Sequence, residues 1–322
     1  MFDVITVGSV TVDAFINTGN KLFKKSFFKN YVSVPFGSKI LIEDLKFEIG
    51  GGGTNTAVAL RKLGLNVAYM GSIGIGTNSQ RVTKLLEHEK IDTSLVQKED
   101  GRTGFSVILD ASGHDRTILT FKGNNDNLDF EKIDQSKLKT RWFYFSAMMN
   151  QSFETQKKLA EYAKKNKIKI AYNPSSYLAK KGARYLKPIL EKTDLLVLNK
   201  EEAEYLVGKN KTRKLLKNLL SLSPELVVVT DGPNPIYATE GKYIYELKPK
   251  HIKVVEATGA GDAFASTFLA GIIKEGDIEY ALKLGLANSQ SVVQGYGPKN
   301  NLLNFKEALN NTKDMKIDKV LL

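Results

Sequence analysis

The stretch Val254-Val255-Glu256-Ala257-Thr258-Gly259-Ala260-Gly261-Asp262-Ala263-Phe264 joins a β-branched run to a turn of small residues. An apolar, helix-compatible run then extends to Ile273. Gly259, Ala260 and Gly261 carry almost no side chain, so their backbone N–H groups can converge on an anion. A helix beginning there adds the positive end of its dipole. Asp262 is the odd member, because a carboxylate repels a phosphate. The set makes chemical sense if Asp262 takes a proton while the amides stabilise charge developing on a phosphoryl group. The plainer reading is a tight strand–helix turn with an acid in the first turn.

A second small-residue run, Gly50-Gly51-Gly52-Gly53-Thr54-Asn55-Thr56-Ala57, leads into an apolar segment that stops at Gly64. It reads as a glycine loop, a helix and a glycine stop. Successive glycines let a ligand lie on the backbone. Asn55 both donates and accepts, which suits a sugar hydroxyl. Asp13 follows a strand over 2–7 that ends at Gly8. Ligands in α/β sheets sit at the carboxyl ends of strands, so Asp13 is positioned for substrate hydroxyls. The alternative is a loop Asp capping its own turn.

These residues need a scaffold. Patterning predicts strands over 66–71, 142–146, 168–172, 194–198 and 226–230, and a pair at 237–239 and 243–247 around Glu240-Gly241. It predicts helices over 79–89, 153–165, near 260–274 and near 277–293. Strand–helix alternation argues for a doubly wound parallel sheet. Residues 14–48 mix aromatics with lysines and contain strand-like pieces at Lys39-Ile40-Leu41-Ile42 and Lys46-Phe47-Glu48-Ile49. A stretch of this length reads as a β lid. Strands over 103–109 and 116–121, around Ser112-Gly113, are expected to complete it, with Phe105 lining the substrate pocket from the lid. The chain is expected to form a single domain over 1–322, with the lid of about 14–48 and 103–121 inserted in it.

Composition excludes several alternatives. There is no cysteine, so disulfides and Cys-ligated zinc are ruled out. His88, His114 and His251 lack metal-ligand spacing. No Gly-Lys-Ser/Thr follows a glycine run, and no Gly-x-Ser-x-Gly elbow occurs. The net charge of +12 raises nucleic acid as a partner, but the lysines are scattered and read as a solvated surface that also attracts polyanions such as ATP. Arg116 and Lys122 are read as part of that surface. No apolar run reaches the ~20 residues of a membrane helix, and the N-terminus reads as a strand rather than a signal peptide. A cytoplasmic location is expected.

Taken in order, the chain resembles the ribokinase-like (PfkB) small-molecule kinases over essentially its whole length. The motifs carrying the resemblance are Gly8 to Asp13, the glycine run to Asn55, Asn199-Lys200-Glu201-Glu202, Thr230-Asp231-Gly232 and Thr258-Gly259-Ala260-Gly261-Asp262. The resemblance implies a three-layer α/β/α sandwich with a central, mostly parallel sheet of nine or so strands and a small β lid. It also implies ATP-dependent transfer of the γ-phosphoryl group to a primary hydroxyl of a small sugar. A nucleoside kinase and a non-catalytic sugar or nucleotide binder are the alternatives. Asp262 would be the base, and the amides of Gly259, Ala260 and Gly261 the anion hole. Asp13, Gly51, Gly52 and Asn55 would hold the acceptor. Asn199, Thr230, Gly232, Thr258 and Asn288 would line the ATP site. Asn199 and Glu202 would hold Mg²⁺, partly through water.

The chain also departs from the family. Glu256-Ala257 replaces the usual Asp-Thr beside the anion hole, where the first acid helps hold a monovalent cation. Glu256 is therefore a candidate K⁺ ligand of altered reach. Gln294-Gly295-Tyr296-Gly297-Pro298 matches the partner loop in outline, and Pro235 stands where a loop glycine is usual. Thr11 and Gly52 replace an Asn and a Lys of ribokinase proper, which argues against ribose as the acceptor. Relatives often dimerise through lid strands, so a homodimer by that route is a further expectation.

Overall fold

The computed structural model describes residues 1–17, 23–25, 30–110 and 117–322. Ser112-Gly113, His114 and Arg116 lie outside them. The elements in order are β1 (Phe2–Val7), β2 (Thr11–Asn17), β3 (Phe23–Lys25), β4 (Asn30–Val32), β5 (Asp44–Gly50), α1 (Gly52–Lys62), β6 (Val67–Ile73), α2 (Thr77–His88), β7 (Asp92–Lys98), β8 (Gly104–Asp110) and β9 (Thr117–Phe121). There follow β10 (Thr140–Ser146), α3 (Asn150–Asn166), β11 (Lys169–Asn173), α4 (Ser175–Ala179), α5 (Ala183–Leu190), β12 (Leu195–Asn199), α6 (Lys200–Val207), α7 (Thr212–Leu220), β13 (Leu226–Asp231), β14 (Asn234–Thr239) and β15 (Tyr243–Leu247). The chain closes with α8 (Ala260–Glu275), α9 (Ile278–Val292), α10 (Phe305–Asn310) and β16 (Ile317–Leu321).

The main sheet has ten strands in the order β16-β15-β14-β13-β12-β11-β10-β1-β6-β7. From β13 to β7 every neighbouring pair is parallel, and β14, β15 and β16 add antiparallel strands at one edge. The central parallel strands are mostly apolar because helices cover both faces, whereas the edge strand β7 is mixed. Along β1 and β6, alternate residues enter opposite cores. Val4, Val67 and Tyr69 face the side of α1, α8 and α9, while Ile5, Val7, Ala68 and Met70 face the side of α3, α5, α6 and α7. This is the expected three-layer α/β/α arrangement.

The second sheet, β5-β2-β8-β9, forms the lid. It begins earlier than expected, at Thr11, because β2 pairs along its whole length with β5 and β8. Lys39-Ile40-Leu41-Ile42 is not a strand; it leads from the Phe36-Gly37 turn into β5 without a ladder partner. Pro235 lies in β14, not in a loop. Strands β7 and β16 have no counterpart in the sequence reading. The burial pattern of β7 is mixed and β16 is almost wholly exposed, so neither carries the apolar run of a buried strand.

Candidate active site

The carboxyl ends of β1 and β10 meet the amino ends of α1 and α8 at one place. The glycine run is not the loose loop its composition suggests. Gly50 ends β5, Gly51 caps α1, and the helix itself begins at Gly52. Gly53 packs directly on Gly8, and a Cβ there would lie 2.7 Å from the Gly8 carbonyl carbon. A Cβ at Gly52 would approach the Ser146 Cβ at 2.9 Å. The run thus brings the end of β1 and the start of α1 to backbone contact. Asn55 is presented from the first turn of α1.

Asp262 lies in the first turn of α8, and its Oδ2 accepts a hydrogen bond from Asn55 Nδ2 at 2.8 Å. Burial raises the Asp262 pKa above the usual carboxylate range, while the Asn55 bond and the nearby Lys299 ammonium pull it down. Gly259 caps α8 at φ +78°, against Pro298, whose Cα would lie 2.7 Å from a Cβ at 259. The Ala260 amide donates to Ala257 O at 3.3 Å and the Ala263 amide to Gly259 O at 2.8 Å, which leaves the Gly261 and Asp262 amides with no carbonyl of the helix to bond. At Gly261 a Cβ would meet nothing within 4 Å, so the turn opens onto unfilled space.

Lys299 was not singled out in the sequence. It is 9% exposed, and its Nζ donates to Asn55 Oδ1 at 2.6 Å and to Ile49 O. The loop after α9 carries it in. That loop is strapped to the segment before α8, since Val255 and Glu256 amides both donate to Val293 O at 2.8 and 3.2 Å. Gly297 N donates to Glu256 Oε2 at 2.7 Å, and the Thr258 hydroxyl donates to Glu256 Oε1. The Glu256 carboxylate therefore already joins the two loops.

Asp13 is a strand residue of β2, not a loop Asp, and it is buried. The register sets Asp13 beside Glu48 and Ser106, whereas Phe105 pairs with Val12 on the opposite face of the lid. Phe105 does not share a face with Asp13, and a one-residue shift makes buried Ser106 the β8 residue on that side. Phe105 instead lines a cavity of about 470 Å³ with Ile75, Asn78, Arg102 and Phe121.

Asn199 and Glu202 form a reciprocal cap at α6. Glu202 N donates to Asn199 Oδ1 at 2.8 Å and Asn199 N donates to Glu202 Oε2 at 3.0 Å. Glu202 also accepts from the Ser176 hydroxyl at 3.2 Å. Burial raises its pKa, and the charge of Asp262 adds to that rise. Between these carboxylates in the electrostatic sense is Tyr144 on β10. Burial pushes its phenol well up, Asp262 and Glu202 push it further, and its hydroxyl has no hydrogen-bond partner among the described residues. A buried Glu202 and a partly buried Asp262 that repel each other, with an unpaired hydroxyl in their field, suit a divalent cation. No group of three or more His, Asp or Glu side chains gathers among the described residues, so such an ion would rely on water and phosphate oxygens for most of its shell.

On the nucleotide side, Thr230 is the penultimate residue of β13 and Gly232, just past its end, turns the chain at φ +56° with open space where a Cβ would be. Asn288 is wholly buried. Its Nδ2 donates to Thr267 Oγ1 at 2.7 Å and its Oδ1 accepts from Leu303 N at 2.9 Å. In this geometry it joins α8, α9 and the segment before α10 and offers a nucleotide no surface. Lys122 is not on a solvated face either; its ammonium sits 4.6 Å from the Tyr177 ring centroid and burial lowers its pKa.

The chain as a whole has counterparts among known proteins. Residues 1–304 match the model of the pfkB family carbohydrate kinases. A 5-dehydro-2-deoxygluconokinase of Clostridium botulinum is 28% identical over 327 residues, covering 95% of this chain and 91% of the relative. An ATP-dependent 6-phosphofructokinase of Thermoanaerobacterium thermosaccharolyticum is 26% identical, covering 89% and 87%. The crystal structure of a Methanocaldococcus jannaschii nucleoside kinase of the ribokinase family superposes with a TM-score of 0.80 at 21% identity, covering 97% and 98%. At that identity the superposition speaks for the fold.

Proposed function

The chain belongs to the pfkB family of carbohydrate kinases, and on that premise we propose that it transfers the γ-phosphoryl group of ATP to a primary hydroxyl of a small sugar. The observation that carries the reading is Asp262 in the first turn of α8, held by Asn55 beside a turn that opens at Gly261. Asp262 takes the proton of the acceptor hydroxyl. The acceptor oxygen bonds to the γ-phosphorus, the bond from that phosphorus to the bridging oxygen breaks, and ADP leaves. The amides of Gly259 and Gly261, with that of Ala260 once it gives up its long bond to Ala257 O, would stabilise the developing negative charge. Asp13, Asn55 and the Gly51-Gly52 backbone hold the acceptor, with Ser106 on the same side of the lid. Thr230, Gly232 and Thr258 border the triphosphate. Mg²⁺ held by Asn199 and Glu202 through water would supply positive charge to the phosphates.

The test is ADP release from Mg-ATP against pentoses, hexoses, sugar phosphates, sugar acids and nucleosides. Turnover with one class supports the reading. Silence across the panel with ATP still bound favours a non-catalytic binder. A nucleoside acceptor is the second reading, favoured by the aromatic lining that Phe105 and Phe121 give the neighbouring cavity of about 470 Å³, on the lid face opposite Asp13. We also propose a homodimer through the lid. Phe36, Leu41, Phe47, Ile118, Leu119 and Phe121 are exposed there, and β5 and β9 are its edge strands.

A further inference from the structure

The proposed chemistry assigns no task to Lys299, a buried lysine at the centre of the site. Its ammonium bonds Asn55 Oδ1 and Ile49 O, and Asn55 in turn bonds Asp262. An Asn side chain has an accepting oxygen and a donating nitrogen of nearly the same shape, so it can turn over. In the wrong orientation its oxygen would face the Asp262 carboxylate. An ammonium has three donors and no acceptor. A charged Lys299 therefore tolerates only the Asn55 oxygen, and the nitrogen must point at Asp262. We propose that Lys299 is a positioning residue for Asp262, its ammonium locking the Asn55 amide in the orientation that serves the base.

The surroundings bear on charge as well as orientation. Lys299 is faced by Asp13 from β2, Glu48 from β5, Asp262 from α8 and Glu89 just beyond α2. Asp262 is faced by Asn55 from α1 and by Lys299, and its charge is felt by Tyr144 on β10 and Glu202 on α6. Burial outweighs the acids around Lys299 and lowers its pKa to about 8. On losing its proton, Lys299 no longer excludes the turned-over amide, so the lock opens on the alkaline side. Gly52, where ribokinase proper has a lysine, has no room for a side chain against Ser146, and the loop after α9 delivers a cation from another direction.

The kinetic part of the test rests on the kinase reading, so the first arm does not use turnover. Protein labelled with ¹³C at aspartate carboxyls is titrated as wild type, Lys299→Met and Lys299→Arg, with Asp262→Asn to assign the resonance. The Asp262 midpoint is expected about one pH unit higher in Lys299→Met than in wild type, since an adjacent cation lowers a carboxylate's pKa. Superimposable curves overturn the proposal. The wild type alone is also decisive: the Asp262 resonance should show a second step near pH 8, where Lys299 titrates. A resonance without that step overturns the proposal even if Lys299→Met fails to fold. With the acceptor in hand, kcat of the wild type should fall above that step. Lys299→Arg, which stays charged, should abolish the fall, and a merely structural role would move neither.

Discussion

Asp262 has to be ionised to take a proton, and burial opposes ionisation. The rate should therefore fall as pH drops through a value above that of an ordinary aspartate, about 4. A kcat–pH profile checks this; an acid limb at or below the ordinary value contradicts it. Asp262→Asn should lower kcat by about 10²–10⁴-fold. The same burial has a stability sign. A carboxyl whose folded pKa is raised penalises the folded state above its unfolded pKa, and the penalty is absent below it. At neutral pH the Asn variant should therefore melt at or above the wild-type temperature while losing activity. Gly53 is constrained differently. A Cβ would meet the Gly8 backbone at 2.7 to 2.8 Å, so Gly53→Ala should cost about 1–3 kcal/mol, read by denaturant unfolding.

At the scale of elements, the site is built by loops tied to helices. Asn288 holds α8, α9 and the segment leading to α10 together through two buried hydrogen bonds. Asn288→Ala should destabilise the fold by about 1–3 kcal/mol, because it orphans a buried hydroxyl and an amide. If the residue acts only in packing, the KM for ATP of the folded variant stays unchanged; a rise without loss of stability would return it to the nucleotide site. Glu256 joins the loop before α8 to the loop after α9 through Oε2, which accepts from Gly297 N, while Oε1 accepts from Thr258 within its own loop. Both oxygens are already engaged by hydrogen-bond donors, which a monovalent cation there would have to share or displace. Turnover should change less than about tenfold on replacing potassium with tetramethylammonium, since a clamp that forms without the ion leaves only a modest coupling to it.

At the scale of the whole molecule, the lid is where exposed apolar surface concentrates. Phe36 is fully exposed in the turn before β5, and β9 presents all five of its residues to solvent. Such an edge pairs with another sheet or is protected from doing so. Light scattering after gel filtration should give a dimer for the wild type, and Phe36→Asp with Leu119→Asp should shift it to monomer. A wild-type monomer at high concentration removes the lid interface. Among the described residues no helix is long and apolar enough to cross a membrane.

The sequence by itself determined the layered architecture, because parallel strands buried on both faces must be continuously apolar and their helices periodic. It also marked Asp262, Asn55, Asp13 and the glycine turns, whose chemistry is local: small residues, a helix start, a lone acid. Tertiary structure alone decided what those residues touch. The lid register set Ser106 rather than Phe105 on the face of Asp13, since neighbouring strand residues point to opposite faces and composition does not reveal the pairing. Asn199 and Glu202 turned out to cap each other, a three-residue spacing that suits a cap and a metal site equally. Lys299 left no signal, being one lysine among many. Its role exists only because a loop more than two hundred residues from Asn55 folds its ammonium against that amide, and no local pattern records so distant an approach.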